Sequence, residues 1–345
     1  MKFKLIIQNL SGSEKWELPF DRFTISEELN NDRNASFSFN RQTVEAVAES
    51  AKTTVENIFI TGYRECYLYD EDDNNLIYSG FVDEYQTSAG TSEKGTLSVT
   101  SRGFFTLLNK RFTNSLRTYT SEDAGDIAWD LIDYTQGLTY GDLGITRGVH
   151  PTTKNRDRTF RYENIAEAIQ KLSNYNLSDG FDFEIDNDKV FNIYYSEKGS
   201  YRRGVIVERG FNIDTYNILQ NGLMDLVNQV YVMGDGYGDD MVVVTRDAEN
   251  IYKSNYGLLQ EALSEKDIKT TATLNDKGDK QLDLRKFPRK TINITIKYDN
   301  PQFTNYQIGD RIKVIISQEN VSGFYRVLRR SLTDDGVVYL TLYPI

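Results

Sequence analysis

Through the first 102 residues, apolar side chains recur mainly at every second position, which is the period of a half-buried strand rather than of a helix. "FKLIIQNL" is followed by "WELPFDRFTISEEL" and "ASFSFNR", where Phe37 and Phe39 share one face. "ECYLYD" and "NLIYSGFVDEYQTS" come next, joined by the polar turn "DEDDNN" at 70–75, and "GTLSVTSRG" follows a second turn, "SAGTSEKG". Short strands at hairpin spacing predict an antiparallel sandwich or barrel. Residues 43–57, "TVEAVAESAKTTVEN", interrupt the alternation and read as a short helix or an irregular crossing.

The middle of the chain changes period. "FFTLLNKR" at 104–111 is a short apolar helix candidate. Ala124, Ile127, Ala128, Leu131 and Ile132 fall on one helical stripe, as do Ile165, Ala168, Ile169 and Leu172. Asn164 with Glu167 three residues on has the form of a capping box. "FDFEIDNDKVFNIYY" then alternates, predicting Phe181, Phe183 and Ile185 inward, Asp182, Glu184 and Asp186 outward, and a hairpin turn at "DNDK". From about residue 211 strands resume: "LVNQVYVMG" and "DMVVVTRD" as a hairpin, a helical interruption over "YGLLQEALSEKDI" and "TATLNDKGDKQLDLRKFPRK", then four closing strands. The expected fold is α+β, mainly β: one antiparallel β unit, sandwich or barrel, over 1–104, an α+β unit over 105–210, and a second β unit over 211–345 with a helical insertion at about 247–287.

The residue inventory removes several functions. A single cysteine, Cys66, excludes an internal disulfide and a multi-thiolate zinc site, and fits folding in a reducing cytoplasm. A single histidine, His150, excludes paired-imidazole metal motifs, and no GxSxG or reactive-cysteine context accompanies it. With 40 basic against 51 acidic residues the chain carries −11, and no basic run suits a nucleic-acid backbone. Apolar runs such as "MVVV" at 241–244 are strand-sized, so no membrane span is expected, and "MKFKLIIQNLSG" reads as a first strand rather than a signal peptide.

Four motifs invite a chemical reading. The glycines of "VYVMGDGYGDD", at 234, 236 and 238, would cradle a phosphate only if they opened a helix. They lead into "MVVVT", and Asp235, Asp239 and Asp240 would repel the anion, so a hairpin turn is expected. Asp182, Glu184 and Asp186 could supply a general acid and base for glycoside cleavage, but alternating acids more simply mark the wet face of a sheet. "DEDDNN" and "GDGYGDD" could hold calcium weakly, yet neither matches an EF-hand loop. The 23 tyrosines and 18 phenylalanines could form a sugar-stacking surface. Tyr63, Tyr67, Tyr69, Tyr194, Tyr195, Tyr339 and Tyr343 fall mostly at strand spacing, and Trp16 and Trp129 lie in a strand and on a helix stripe, so core and subunit interface are the expected hosts. No catalytic, cofactor or metal site is assigned.

The C-terminal succession "VNQVYVMGDGYG", "LDLRKFPRKTINITIKYDNP", "YQIGDRIKV" and "GFYRVLRRSLTDDGVVYLTLYPI" resembles the baseplate hub, or tail-tip, proteins of tailed phages and contractile injection systems. "LIYSGFVDEY" through "GTLSVTSRGFFTLLNKR" looks like that family's first barrel and connecting helix. The resemblance implies two tail-tube-like barrels per subunit and a homotrimer that presents six similar domains to a hexameric tube. It implies as partners the tail tube or distal tail protein, the central spike or tip, and other baseplate proteins, with DNA passing without specific binding. It places "GDGYG" in a hairpin of the second barrel, and "QIGDR" (Gln307–Arg311) in a turn where Gly309 supplies special backbone geometry. The chain stops at Ile345 soon after the barrel closes, which makes an appended enzymatic domain unexpected. A virion tail component assembled in the bacterial host cytoplasm follows, with no enzymatic activity and no cofactor. The alternatives are a distal tail ring or other baseplate adaptor, and a carbohydrate-binding or glycan-cleaving tail protein.

Overall fold

The computed structural model describes residues 2–72, 74–88, 95–173, 180–265, 268–297 and 300–344. The first third forms β1 (Phe3–Asn9), β2 (Lys15–Leu18), β3 (Arg22–Glu28) and β4 (Arg33–Asn40), then helices α1 (Arg41–Ser50) and α2 (Val55–Ile58), then β5 (Arg64–Asp70), β6 (Leu76–Ser88) and β7 (Thr96–Arg102). The interruption at 43–57 is thus helical, capped by Asn40 and Thr54, whose side chains accept from Gln42 N and Asn57 N. β5 pairs antiparallel with β6 across the "DEDDNN" turn, and β6 with β7. Residues 89–94 of the second turn lie outside the described residues.

The middle third contains a 3-10 turn at Phe104–Lys110, β8 (Arg117–Asp123), α3 (Ala124–Gln136), β9 (Thr146–Arg147), β10 (Asn155–Phe160), α4 (Ile165–Ser173), β11 (Asp182–Ile185) and β12 (Val190–Tyr194). Both helical stripes are buried as the periodicity requires, in one core with Phe104, Phe105, Phe183 and Phe191. Asn164 Oδ1 accepts from Glu167 N at 3.1 Å, and β11 and β12 form the antiparallel hairpin around residues 186–189.

The last third begins with β13 (Tyr201–Glu208) and β14 (Ile213–Gln220). It continues through β15 (Gln229–Met233), β16 (Val243–Asp247), α5 (Asn250–Tyr256), β17 (Gln260–Ser264) and α6 (Thr271–Arg285). It closes with β18 (Lys290–Ile296), β19 (Arg311–Ile316), β20 (Val321–Thr333) and β21 (Val338–Pro344). Two expectations change here. Gln260–Ser264 is a strand, not helix: it pairs parallel to β15, so sheet pairing overrides the helical spacing of Leu259 and Leu263. The β15–β16 hairpin forms as read, but it belongs to a separate three-stranded sheet, ordered β16-β15-β17, and not to the large sheet. Its inward valines, Val230 and Val232, pack with Leu274 and Leu282 of α6 in a core of their own.

Among the described residues the large sheet has thirteen strands, ordered β14-β18-β21-β20-β3-β4-β7-β6-β5-β1-β2, with β19 also on β20 and β13 parallel to β19. Strand β20 joins the two ends of the chain. Its first half pairs with β19 (Arg326↔Arg311 to Val321↔Ile316) and its second half with β3 (Arg329↔Glu28 to Thr333↔Thr24), while β21 follows its other edge. The change of partner coincides with a bulge between Val327 and Arg329, where extra twist re-aims the strand. One hydrophobic core therefore runs from Leu5 and Phe23 through Ile25 and Leu332 to Leu340 and Ile294.

That continuity predicts the effect of Leu332→Ala, opposite Ile25 in the β3–β20 ladder. It should destabilise the protein by about 2–5 kcal/mol. In calorimetry the terminal and N-terminal strands should lose stability together in one transition. A variant that melts the C-terminal strands while the N-terminal strands keep their wild-type midpoint would contradict a shared core.

Candidate functional site

The acids Asp182 and Glu184 are not on a wet face. Asp182 is 5% exposed, because β11 packs its acidic side against the β3–β4 turn and the β19–β20 region. Its Oδ1 accepts from Asn30 Nδ2 at 2.8 Å, and its Oδ2 accepts from Lys198 N at 2.6 Å and pairs with Arg326. Asn30, in the left-handed region at φ 56, also accepts from Phe183 N at 2.9 Å, so one side chain clips the β3–β4 turn to β11. Glu184 pairs with Lys198, accepts from Tyr194 Oη and lies 3.6 Å from Arg33. Burial alone would raise the Glu184 carboxyl; Lys198 and Arg33 outweigh it and hold the group below its usual value.

Arg33 continues the network into the sheet. It lies 3.3 Å from Glu27 and donates to Asn187 Oδ1 at 2.7 Å. Asn187, at the β11–β12 tip, accepts from Ser79 N at 3.0 Å and Ser79 Oγ at 2.7 Å, seating the hairpin on β6. Lys189 at the same tip reaches Glu65 at 2.6 Å. The innermost pair is Glu27 with Arg330, direct cross-strand neighbours of the β3–β20 ladder at 2.5 Å, 4% and 8% exposed. Arg330 also donates to Phe303 O at 2.7 Å and to Tyr306 O, and lies 3.8 Å from the centre of the Phe303 ring. Burial pushes the Glu27 carboxyl up, but Arg330 and Arg33 pull it further down, to about 2.

Two glycines close the outer side. Asp310, 1% exposed, accepts from Ser200 N at 2.8 Å, Gln307 N at 2.9 Å and Arg202 Nε at 2.7 Å. This holds the "QIGDR" turn against residues 198–200. Gly309 (φ 90) and Gly199 (φ 100) meet backbone to backbone, and a Cβ on Gly309 would stand 2.6 Å from Lys198 O. The special geometry expected of Gly309 is present, and its cause is this contact.

Together these residues make a charged junction binding the middle unit to strands of both β units. A cavity of about 30 Å³ beside Glu27, Glu184 and Lys198 has room for a water or two, not for a sugar ring. The expected wet face is thus replaced by an internal one, since each acid has a cation or amide donor from another element to meet. Sequence alternation carried a signal for Glu27, which follows Phe23 and Ile25 on the buried face, and for Arg330, which precedes Leu332 on it. It carried none for Asn30, Lys198 or Arg326.

The remaining motifs stay dispersed. His150 is half-buried between Trp129 and Phe191, its Nδ1 3.3 Å from Gly148 O, and burial lowers its pKa. Cys66 is fully buried, and burial pushes its thiol up to about 12. The "GDGYG" stretch passes through a three-residue 3-10 turn at Gly238–Asp240 into β16, with Gly236 at φ 107. No group of three His, Cys, Asp or Glu is placed to hold a metal among the described residues. Of the tyrosines singled out, Tyr67 and Tyr69 lie on β5, Tyr194 on β12 and Tyr339 and Tyr343 on β21, while Tyr63 precedes β5 and Tyr195 follows β12; Tyr67 donates to Glu65 at 2.7 Å. No helix among the described residues is long and apolar enough to cross a membrane.

No protein-family model and no curated protein matches the chain. Solved structures do. The tail protein from Neisseria meningitidis MC58 aligns with a TM-score of 0.69 at 14% identity, over 100% of this chain and 97% of its own. The 43 kDa tail protein of prophage MuSo2 from Shewanella oneidensis gives 0.66 at 12%, over 99% and 97%. The E. coli c3393 protein, described as a type VI secretion component with structural similarity to the T4 phage tail proteins gp27 and gp5, gives 0.54 at 11%, over 100% and 77%. The fold is therefore that of phage tail proteins, end to end.

Two tests address the junction. Because the folded Glu27 pKa lies below the ordinary 4.5, its stabilisation is complete above that value and is lost as pH falls through about 2. Glu27→Gln should flatten this acid-side slope in chemical unfolding, and at neutral pH should cost about 3–5 kcal/mol by leaving Arg330 buried without its counter-charge. An unchanged acid slope would contradict the assignment. Gly309→Ala should destabilise by more than about 1 kcal/mol, since it meets both a positive φ and the Lys198 carbonyl; a wild-type melting temperature would show that the two backbones separate at no cost.

Proposed function

We propose that this chain is a non-enzymatic structural subunit of a phage-type tail, forming the hub ring that joins the tail tube to the central spike or tip. The observation that carries the reading is the match of fold over nearly the full length of both this chain and solved tail proteins. The architecture suits the role. Two β units tied through β20 into one sheet would move as a single body, and three copies would offer six such units to a hexameric tube. The charged junction fixes the middle unit at the side of that body, where it can meet other baseplate proteins.

The partners of this reading are two further copies, the tube or distal tail protein, the spike, and other baseplate proteins, in a virion tail assembled in the host cytoplasm. DNA passes through the ring without specific binding. A net charge of −11 favours such passage, because an acidic wall repels phosphates and limits sticking. A glycan-cleaving role is disfavoured because the oxygens of Asp182 and Glu184 are engaged by Arg326, Lys198, Asn30 and Tyr194.

Light scattering on the purified protein, alone and with its tube protein, should give a mass of three copies. Six copies would favour a distal ring, and a chain that stays monomeric with every tail partner would overturn the hub.

A further inference from the structure

We propose that neighbouring copies of this chain meet through a knob of the middle unit seated in a groove of the first β unit. The contact rests on the ring reading above and specifies which surfaces make it.

The groove, of about 370 Å³, lies between α1, the α1–α2 connection and strands β6 and β7. Its floor is apolar: Val44, Ala48 and Leu97 are buried, and Val55 and Tyr85 half-buried. Its rim is acidic, with Glu45, Glu49 and Glu56 all exposed. Glu45 is matched by Arg41 at 2.7 Å, whereas Glu49 and Glu56 have no ion-pair partner among the described residues. An apolar floor under unmatched carboxylates suits an apolar side chain flanked by cations.

The chain presents such a feature elsewhere. Phe112, Leu116 and Tyr162 are 52%, 62% and 67% exposed. They stand on two segments knit together by Tyr162 N donating to Thr113 O at 2.9 Å, Ile165 N donating to Arg111 O at 3.0 Å and a bridge between Phe112 and Asn164. The knob is thus shaped before any partner arrives, which lowers the ordering cost of binding. Lys110, Arg111 and Arg161 surround it with no ion-pair partner among the described residues, Arg161 lying 5.5 Å from the centre of the Tyr162 ring. Aromatic side chains with arginine are the usual energetic centre of an interface.

Both surfaces are open in one copy, so neither fills the other within it. Groove and knob are different patches, so the contact can repeat head-to-tail from copy to copy until rotation closes a ring, and the ring reading above selects that arrangement over a reciprocal two-fold pair. The occupant is therefore a second copy, selected by opposite charge around matching apolar centres.

The test is a charge-swap series followed by mass photometry across a concentration range. Glu49→Lys/Glu56→Lys and, separately, Lys110→Glu/Arg161→Glu should each weaken self-association about tenfold or more, with melting temperatures unchanged because all four side chains are exposed. The quadruple variant, in which the charges face each other in reverse, should regain most of the wild-type assembly. As a direct readout, Thr53→Cys with Leu116→Cys should give disulfide-linked multimers under oxidation, against a quiet background since Cys66 is buried. A wild-type multimer indifferent to both reversals, and unlinked by the cysteine pair, overturns the contact while leaving the ring intact. Reversals that spare self-association but block incorporation into tails give the groove to another tail protein and also overturn it. A wild-type chain that never self-associates defeats the ring and this contact together.

Discussion

Strands β3 and β20 stand about three hundred residues apart in the chain and pair residue for residue from Glu28↔Arg329 to Thr24↔Thr333. Without this ladder the N-terminal and C-terminal strands would be two sheets, each with an open edge; with it they are one sheet over one core. Its register is marked by the buried Glu27–Arg330 pair. A slip of β20 by one residue would turn Arg330 to the opposite face, away from Glu27 and from the Phe303 and Tyr306 carbonyls it serves. Buried ion pairs often add little net stability, and fixing a register is the best-attested use for one.

The middle unit depends on that same place. Arg33, which lies between Glu27 and Glu184, belongs to the β4 end of the turn that Asn30 clips to β11. Arg326 reaches Asp182 from the half of β20 paired with β19, just before the bulge. The junction thus reads the geometry of both β units at once, and would be disrupted if either shifted. Every cation in it meets an acid or a carbonyl from another segment, so the position of the middle unit is fixed by polar matching as well as by apolar packing.

Much of this was legible in the sequence and some was not, for physical reasons. Period-two alternation identified the strands of the first third, and the two helical stripes of the middle unit appear with the buried residues expected. The "DNDK" turn and the β15–β16 hairpin also follow from local chemistry, since a turn is decided by the residues in it. The strand at Gln260–Ser264 was hidden because the spacing of Leu259 and Leu263 also fits a helix, and only its parallel partner β15 decides between them. The separate sheet of the hairpin was hidden because alternation shows that a strand has an inner face, not which core that face meets. The acids of β11 were misplaced for the same reason: alternation separated them from Phe183 and Ile185 correctly, but the far side of β11 faces another part of the chain rather than water. Glu27 and Arg330 were the readable exceptions, charged residues at inward positions whose partners only the fold supplies.

The role proposed for this continuous sheet is the hub of a tail. Cryo-electron microscopy of the assembled particle tests it most directly. The claim predicts three copies of this chain in a ring between tube and spike, with the strands of both β units facing the channel axis in near six-fold arrangement. A particle in which the chain is absent from that level, or stands as a peripheral copy away from the channel, would contradict it.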